Sequence, residues 1–99
     1  MRVQGGGLVL RHLKTFEALG NETRLKVFDF IYRAGAQGVK PKQIIKQFGV
    51  DSGTLDFHLK RLVAAGLIVL DSSKGSSLYC PSKEVLYQLA TLFQTYGQM

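Results

Sequence analysis

Apolar residues recur three and four positions apart in successive stretches of this chain, and each stretch is bounded by residues that start or stop a helix. From Leu8 to about Ala18, Val9, Leu13 and Phe16 keep helical spacing while Arg11, His12 and Lys14 fill the polar side. Gly20 closes this helix, Asn21 is a suitable N-cap for the next, and Glu22 sits where a negative charge complements the helix dipole. The second helix runs to about Arg33 with Leu25, Phe28, Ile31 and Tyr32 as its apolar stripe, and Gly35 with Gly38 breaks the pattern. A third helix starts near Lys40-Pro41, a position where proline's missing amide costs nothing, and carries Ile44, Ile45 and Phe48 inward. The chain turns at Gly49-Val50, Asp51 caps a fourth helix, and Leu55, Leu59 and Leu62 form its buried stripe.

Beyond Ala65-Gly66 the period shortens. Leu67 to Leu70 reads as a strand, Leu78 to Cys80 as a second, and Asp71 to Ser77 as a polar hairpin loop with Lys74-Gly75 at its middle. Pro81-Ser82 opens a last helix, capped by Ser82 and supported by Glu84, that is rich in apolar residues. One stripe, Val85, Leu89, Leu92 and Tyr96, suits its own domain, which leaves Leu86, Ala90 and Phe93 for a partner. The expected fold is mainly α with a small β-hairpin: four helices, the hairpin, then a fifth helix, which is the order of a winged helix-turn-helix. Residues 1–7, with three consecutive glycines, are expected to be a flexible leader, and residues 8–96 one domain.

Such a unit presents its second short helix to a DNA major groove while the hairpin, or wing, reaches the flanking backbone. The outward face of the fourth helix holds Ser52, Gly53, Asp56, Phe57, Lys60 and Arg61, too mixed a set for a plain solubilising surface. Composition agrees. Thirteen Lys and Arg against seven Asp and Glu give a net charge of +6, which favours polyanionic partners, and a 99-residue domain gains from dimerisation. One cysteine allows no intrachain disulfide, and no signal-peptide pattern opens the chain, so a reducing cytoplasm is expected. The longest apolar run, Leu62 to Leu70, is too short to span a bilayer.

Three blocks in order, Phe16 to Leu25, Gly53 to Leu62 and Ala65 to Ile68, resemble the arsenic-repressor family, ArsR/SmtB. The resemblance covers roughly residues 8 to 96 and implies a homodimeric bacterial transcriptional repressor whose first and last helices form the dimer interface. On this chain that interface falls on Val9, Leu13, Leu86, Leu89 and Phe93. The resemblance also implies operator reading by Ser52, Gly53, Asp56 and Phe57, with Thr54 and the wing near Lys74 on the backbone. Lys42, Lys60 and Arg61 complete the candidate contacts to a double-stranded operator, expected to be an inverted repeat.

Two departures stand out. Metal- and arsenic-sensing members carry paired cysteines just before the recognition helix, His and acidic ligands on the last helix, or a terminal cysteine cluster. None of these occurs here, so no metal or other cofactor is expected and the inducer does not carry over. The second is Asp56, where the family usually has Ser or Thr; an acid near phosphates weakens binding unless it accepts a hydrogen bond, as from cytosine N4. Asp56 motivates the alternative of a winged-helix module for protein contact without DNA activity. An enzyme is not expected, since a lone Cys and two scattered His residues give no nucleophile-base pair, phosphate loop or carboxylate pair. Cys80 reads as a small apolar residue, His12 and His58 as non-ligands, and Tyr79, Tyr87 and Tyr96 as core or interface.

Overall fold

Caps set the helix boundaries in the computed structural model, which describes residues 6–85 and their side chains from residue 13 onward. The elements are α1 (Gly6–Leu19), α2 (Glu22–Ala34), a single 3-10 turn (Gly35–Gln37), α3 (Pro41–Phe48), α4 (Ser52–Ala64), β1 (Ile68–Asp71) and β2 (Leu78–Pro81). Asn21 starts α2 by accepting from the Arg24 amide at 2.9 Å, and Asp51 starts α4 by accepting from Thr54 at 2.6 Å. Pro41 is the first residue of α3, where Gln43 reaches back to the Lys40 amide at 2.8 Å. Between α3 and α4, Gly49 takes the left-handed conformation, φ 70°, and its amide closes α3 on the Ile45 carbonyl. This is the tight turn that the helix pair requires.

The core is one cluster in which Val27, Phe28 and Ile31 of α2 join Ile44, Leu55, Leu59 and Leu62, with Leu67, Ile68 and Val85 beneath the hairpin. The α4 stripe is as expected. On α2 the buried set is shifted: Val27 is enclosed, whereas Leu25, expected in the stripe, is exposed toward α3. On α1 the expected apolar stripe does not face the core, since Thr15 and Ala18 are buried while Leu13 and Phe16 are 46% and 52% exposed.

The hairpin pairs Ile68 with Pro81 and Asp71 with Leu78, one residue further along β1 than its apolar run suggested. Leu67 is instead used at the helix exit, its amide bonded to the Leu62 carbonyl and its own carbonyl to the Ser82 amide. A third short pairing was not foreseen. Val39 and Tyr79 exchange two backbone hydrogen bonds of 2.9 and 2.8 Å, which anchors the wing to the segment entering α3. Gly38 permits it: its φ is +73°, and a Cβ there would stand 2.8 Å from Cys80 Sγ. Ser82 ties the chain beyond the wing, donating to the Gly66 carbonyl at 2.7 Å and accepting from Val85. The last helix expected after it lies outside the described residues, as do the side chains of Val9, Leu86, Leu89 and Phe93.

Candidate nucleic-acid interface

The outward face of α4 begins with its cap. Asp51 spends its carboxylate on the Thr54 amide, and these hydrogen bonds, with a smaller one from Gly53, hold its carboxyl below the usual range. The acid is therefore committed to the helix. Ser52, Asp56 and Lys60 follow at four-residue intervals and all are exposed; Gly53, Phe57 and Arg61 make the adjacent row. Asp56 does not present a free charge, because Lys60 Nζ lies 3.0 Å from its carboxylate. A Cβ added at Gly53 would meet only the Asp51 side chain, at 3.7 Å, so this first turn offers bare backbone to an approaching surface.

Phe57 is 54% exposed on this outer face, yet its ring is flanked by two guanidiniums. Arg24 of α2 stands 5.9 Å from the ring centroid and Arg61 of α4 5.8 Å. Arg24 is only 6% exposed, and its Nε and Nη1 are buried without a hydrogen-bond partner. Burial, with Arg61 alongside, lowers the pKa of this guanidinium from its ordinary value. His58 is buried beside it, with Nδ1 unpartnered and its ring 5.6 Å from that of Phe57. Burial first and the Arg24 charge second push the imidazole below its usual pKa, so it stays neutral.

The wing supplies a further basic group. Asp71 accepts from the Ser73 amide at 2.9 Å, Gly75 closes the tip onto the Ser72 carbonyl, and Lys74 is exposed. Its Nζ donates to the Ala36 carbonyl at 3.2 Å, so the tip leans on the 3-10 turn. Lys42 is exposed on the first turn of α3. Ser52, Gly53, Asp56, Phe57, Lys60 and Arg61 thus lie on one exposed helix face, Thr54 is exposed on the same first turn, and Lys42 and Lys74 come from α3 and the wing. Arg24 escaped sequence reasoning, because an arginine three residues after a cap reads as surface; burial of its guanidinium is set by packing.

A family model described as a helix-turn-helix domain matches residues 19–71, more than half of the chain and the whole of α2 through β1. The chain belongs to this helix-turn-helix family. No curated protein sequence matches it. Among solved structures, this helix-turn-helix protein is similar to HlyU from Vibrio cholerae, at 18% identity and a TM-score of 0.69 over 97% of this chain and 98% of that one. NolR from Sinorhizobium fredii matches at 19% identity and a TM-score of 0.70, over 98% and 95%. Mb0332 from Mycobacterium bovis, described as a homodimeric winged helix-turn-helix DNA-binding domain and a possible ArsR-family transcriptional regulator, matches at 22% and 0.69, over 99% and 88%. The fold is that of a winged helix-turn-helix. Among the described residues no helix is long and apolar enough to cross a membrane, and no three His, Cys, Asp or Glu side chains come together as a metal-binding group.

Proposed function

We propose that this protein is a sequence-specific double-stranded-DNA-binding transcriptional regulator, a homodimeric repressor of the ArsR type that senses something other than a metal. The carrying observation is the division of α4 into a buried face of Leu55, Leu59 and Leu62 and an outer face of Ser52, Gly53, Asp56, Phe57 and Lys60. A helix so divided is fixed by its core side and free to enter a major groove with the other. Ser52 and Asp56 suit base edges, Gly53 suits close backbone approach, and Phe57 suits a thymine methyl. The Asp56–Lys60 pair offsets the repulsion that a bare acid would meet among phosphates.

Dimerisation is supported by the exposed Leu13 and Phe16 on α1, by the apolar residues of the C-terminal segment, and by the homodimer described for Mb0332. A reducing cytoplasm suits a chain with one cysteine. Selection from a random duplex pool tests the reading. It should enrich an inverted repeat with half-site centres about 34 to 36 Å apart, bound with an affinity that falls steeply with salt. Enrichment of nothing palindromic, with salt-independent binding, would refute it. Sedimentation tests the dimer: Leu13→Glu, together with Leu86→Glu, should give monomers at micromolar concentration, and an unaltered dimer would place the interface elsewhere.

A further inference from the structure

Arg24 is disfavoured where it stands on three counts. Its guanidinium is buried with Nε and Nη1 unpartnered, it shares one aromatic ring with a second cation, and it occupies the third position of α2, where the helix dipole repels positive charge. No intrachain acid offsets this. All seven acidic side chains lie between Glu17 and Glu84, inside the described residues. Glu22, Asp29 and Asp56 pair with Lys26, Arg33 and Lys60, Asp51 and Asp71 accept from backbone amides, and none forms an ion pair with Arg24 or Arg61. A positive charge kept in a poor place without a counterion marks a site that awaits an anion from outside.

We infer that Arg24 and Arg61, on either side of Phe57, form a clamp for one DNA backbone phosphate per protomer. The inference rests on the DNA-binding reading above and adds to it a residue of α2, outside the helix pair that reads the groove. Gly53, Phe57 and Arg61 form one edge of the exposed face of α4, and Arg24 extends that edge toward the start of α2. When α4 lies in a major groove, this edge meets the strand bordering it. A phosphate there supplies the charge that both guanidiniums lack, and their planar forks match its oxygens. The contact positions α4 in the groove and carries no base information.

The test replaces single phosphates of the selected operator by uncharged methylphosphonate linkages and measures binding by wild type and Arg24→Met. For wild type, one linkage per half-site should weaken binding about tenfold, the scale of one charge-assisted contact. In Arg24→Met, overall affinity should be lower, base preferences unchanged, and that same linkage should no longer matter. The slope of log affinity against log salt should become shallower by about 0.9 for each protomer. Arg24→Lys, which keeps the charge, should restore the slope and serves as the comparison if Arg24→Met does not fold. Weaker binding by Arg24→Met with an unaltered pattern of sensitive linkages and an unaltered slope would show a purely structural role and overturn the inference. Loss of the dimer in Arg24→Met with the same linkage pattern would overturn it too, by assigning the missing counterion to a second copy of the chain. Failure of wild type to bind any duplex is distinct, and overturns the DNA-binding reading itself.

Discussion

At the start of both α2 and α4, the residue before the helix turns its side chain back onto the third helical amide, Asn21 at 2.9 Å and Asp51 at 2.6 Å. The hydrogen-bond geometry is shared, but the charges are opposite in purpose. α4 opens on a carboxylate that complements its dipole and is held deprotonated by the amides it accepts from. α2 places an unpaired guanidinium in its first turn, buried beneath a ring of the recognition helix. The first arrangement serves stability. The second opposes it, so its rationale must lie in what the protein binds.

The largest effect belongs to the core that holds both ends in place. Leu62→Ala removes a fully buried side chain and should lower stability by about 2 to 5 kcal/mol in urea unfolding, a measurement that a loss below about 1 kcal/mol would contradict. Arg24→Met sharpens the contrast most. It exchanges a buried unpaired cation for an apolar chain of similar length, so stability should be unchanged or higher by about 1 kcal/mol while DNA affinity falls. A marked loss of stability would mean that the guanidinium contributes to folding after all.

At the caps themselves, Asn21→Ala should cost about 1 kcal/mol, since it frees the Arg24 amide. Asp51→Asn keeps an acceptor but discards the charge. The Asp51 contribution is fully present above the ordinary carboxyl value of 3.8 and is lost as pH falls through the lower folded-state value, so the variant should show a flatter acid-unfolding profile. The smallest effect is spectroscopic. His58 should titrate below 6.5 by NMR, and Arg24→Met should raise its pKa only part of the way, because burial is the larger cause. Its contribution to stability is complete above 6.5 and declines as pH falls through the depressed value. An unchanged titration in Arg24→Met would separate the two side chains.

Much of this molecule was legible because its signals are local. Asn21, Pro41, Gly49 and Asp51 act on amides and carbonyls within four residues, so their roles follow from position alone. The α4 stripe was legible for a similar reason, as three leucines at one spacing leave no rival face. α2 has two overlapping stripes, and only the position of α3 decides that Val27 is covered and Leu25 is not. Val39 joins Tyr79 across forty residues, a pairing no periodicity encodes, and it depends on the space that Gly38 leaves beside Cys80. In the candidate site, the exposed row on α4 came from the pattern, whereas the second guanidinium at Phe57 arrives from another helix.

Amide chemical-shift mapping of the labelled protein titrated with its selected duplex tests the central claim most directly. Shifts should concentrate on Ser52 to Arg61, with Arg24 and Lys74 joining them and the exposed Leu25, beside Phe30 and Phe48 on the α2–α3 side, left unmoved. Shifts confined to that α2–α3 surface, or absent from α4, would contradict a recognition helix at Ser52–Ala64.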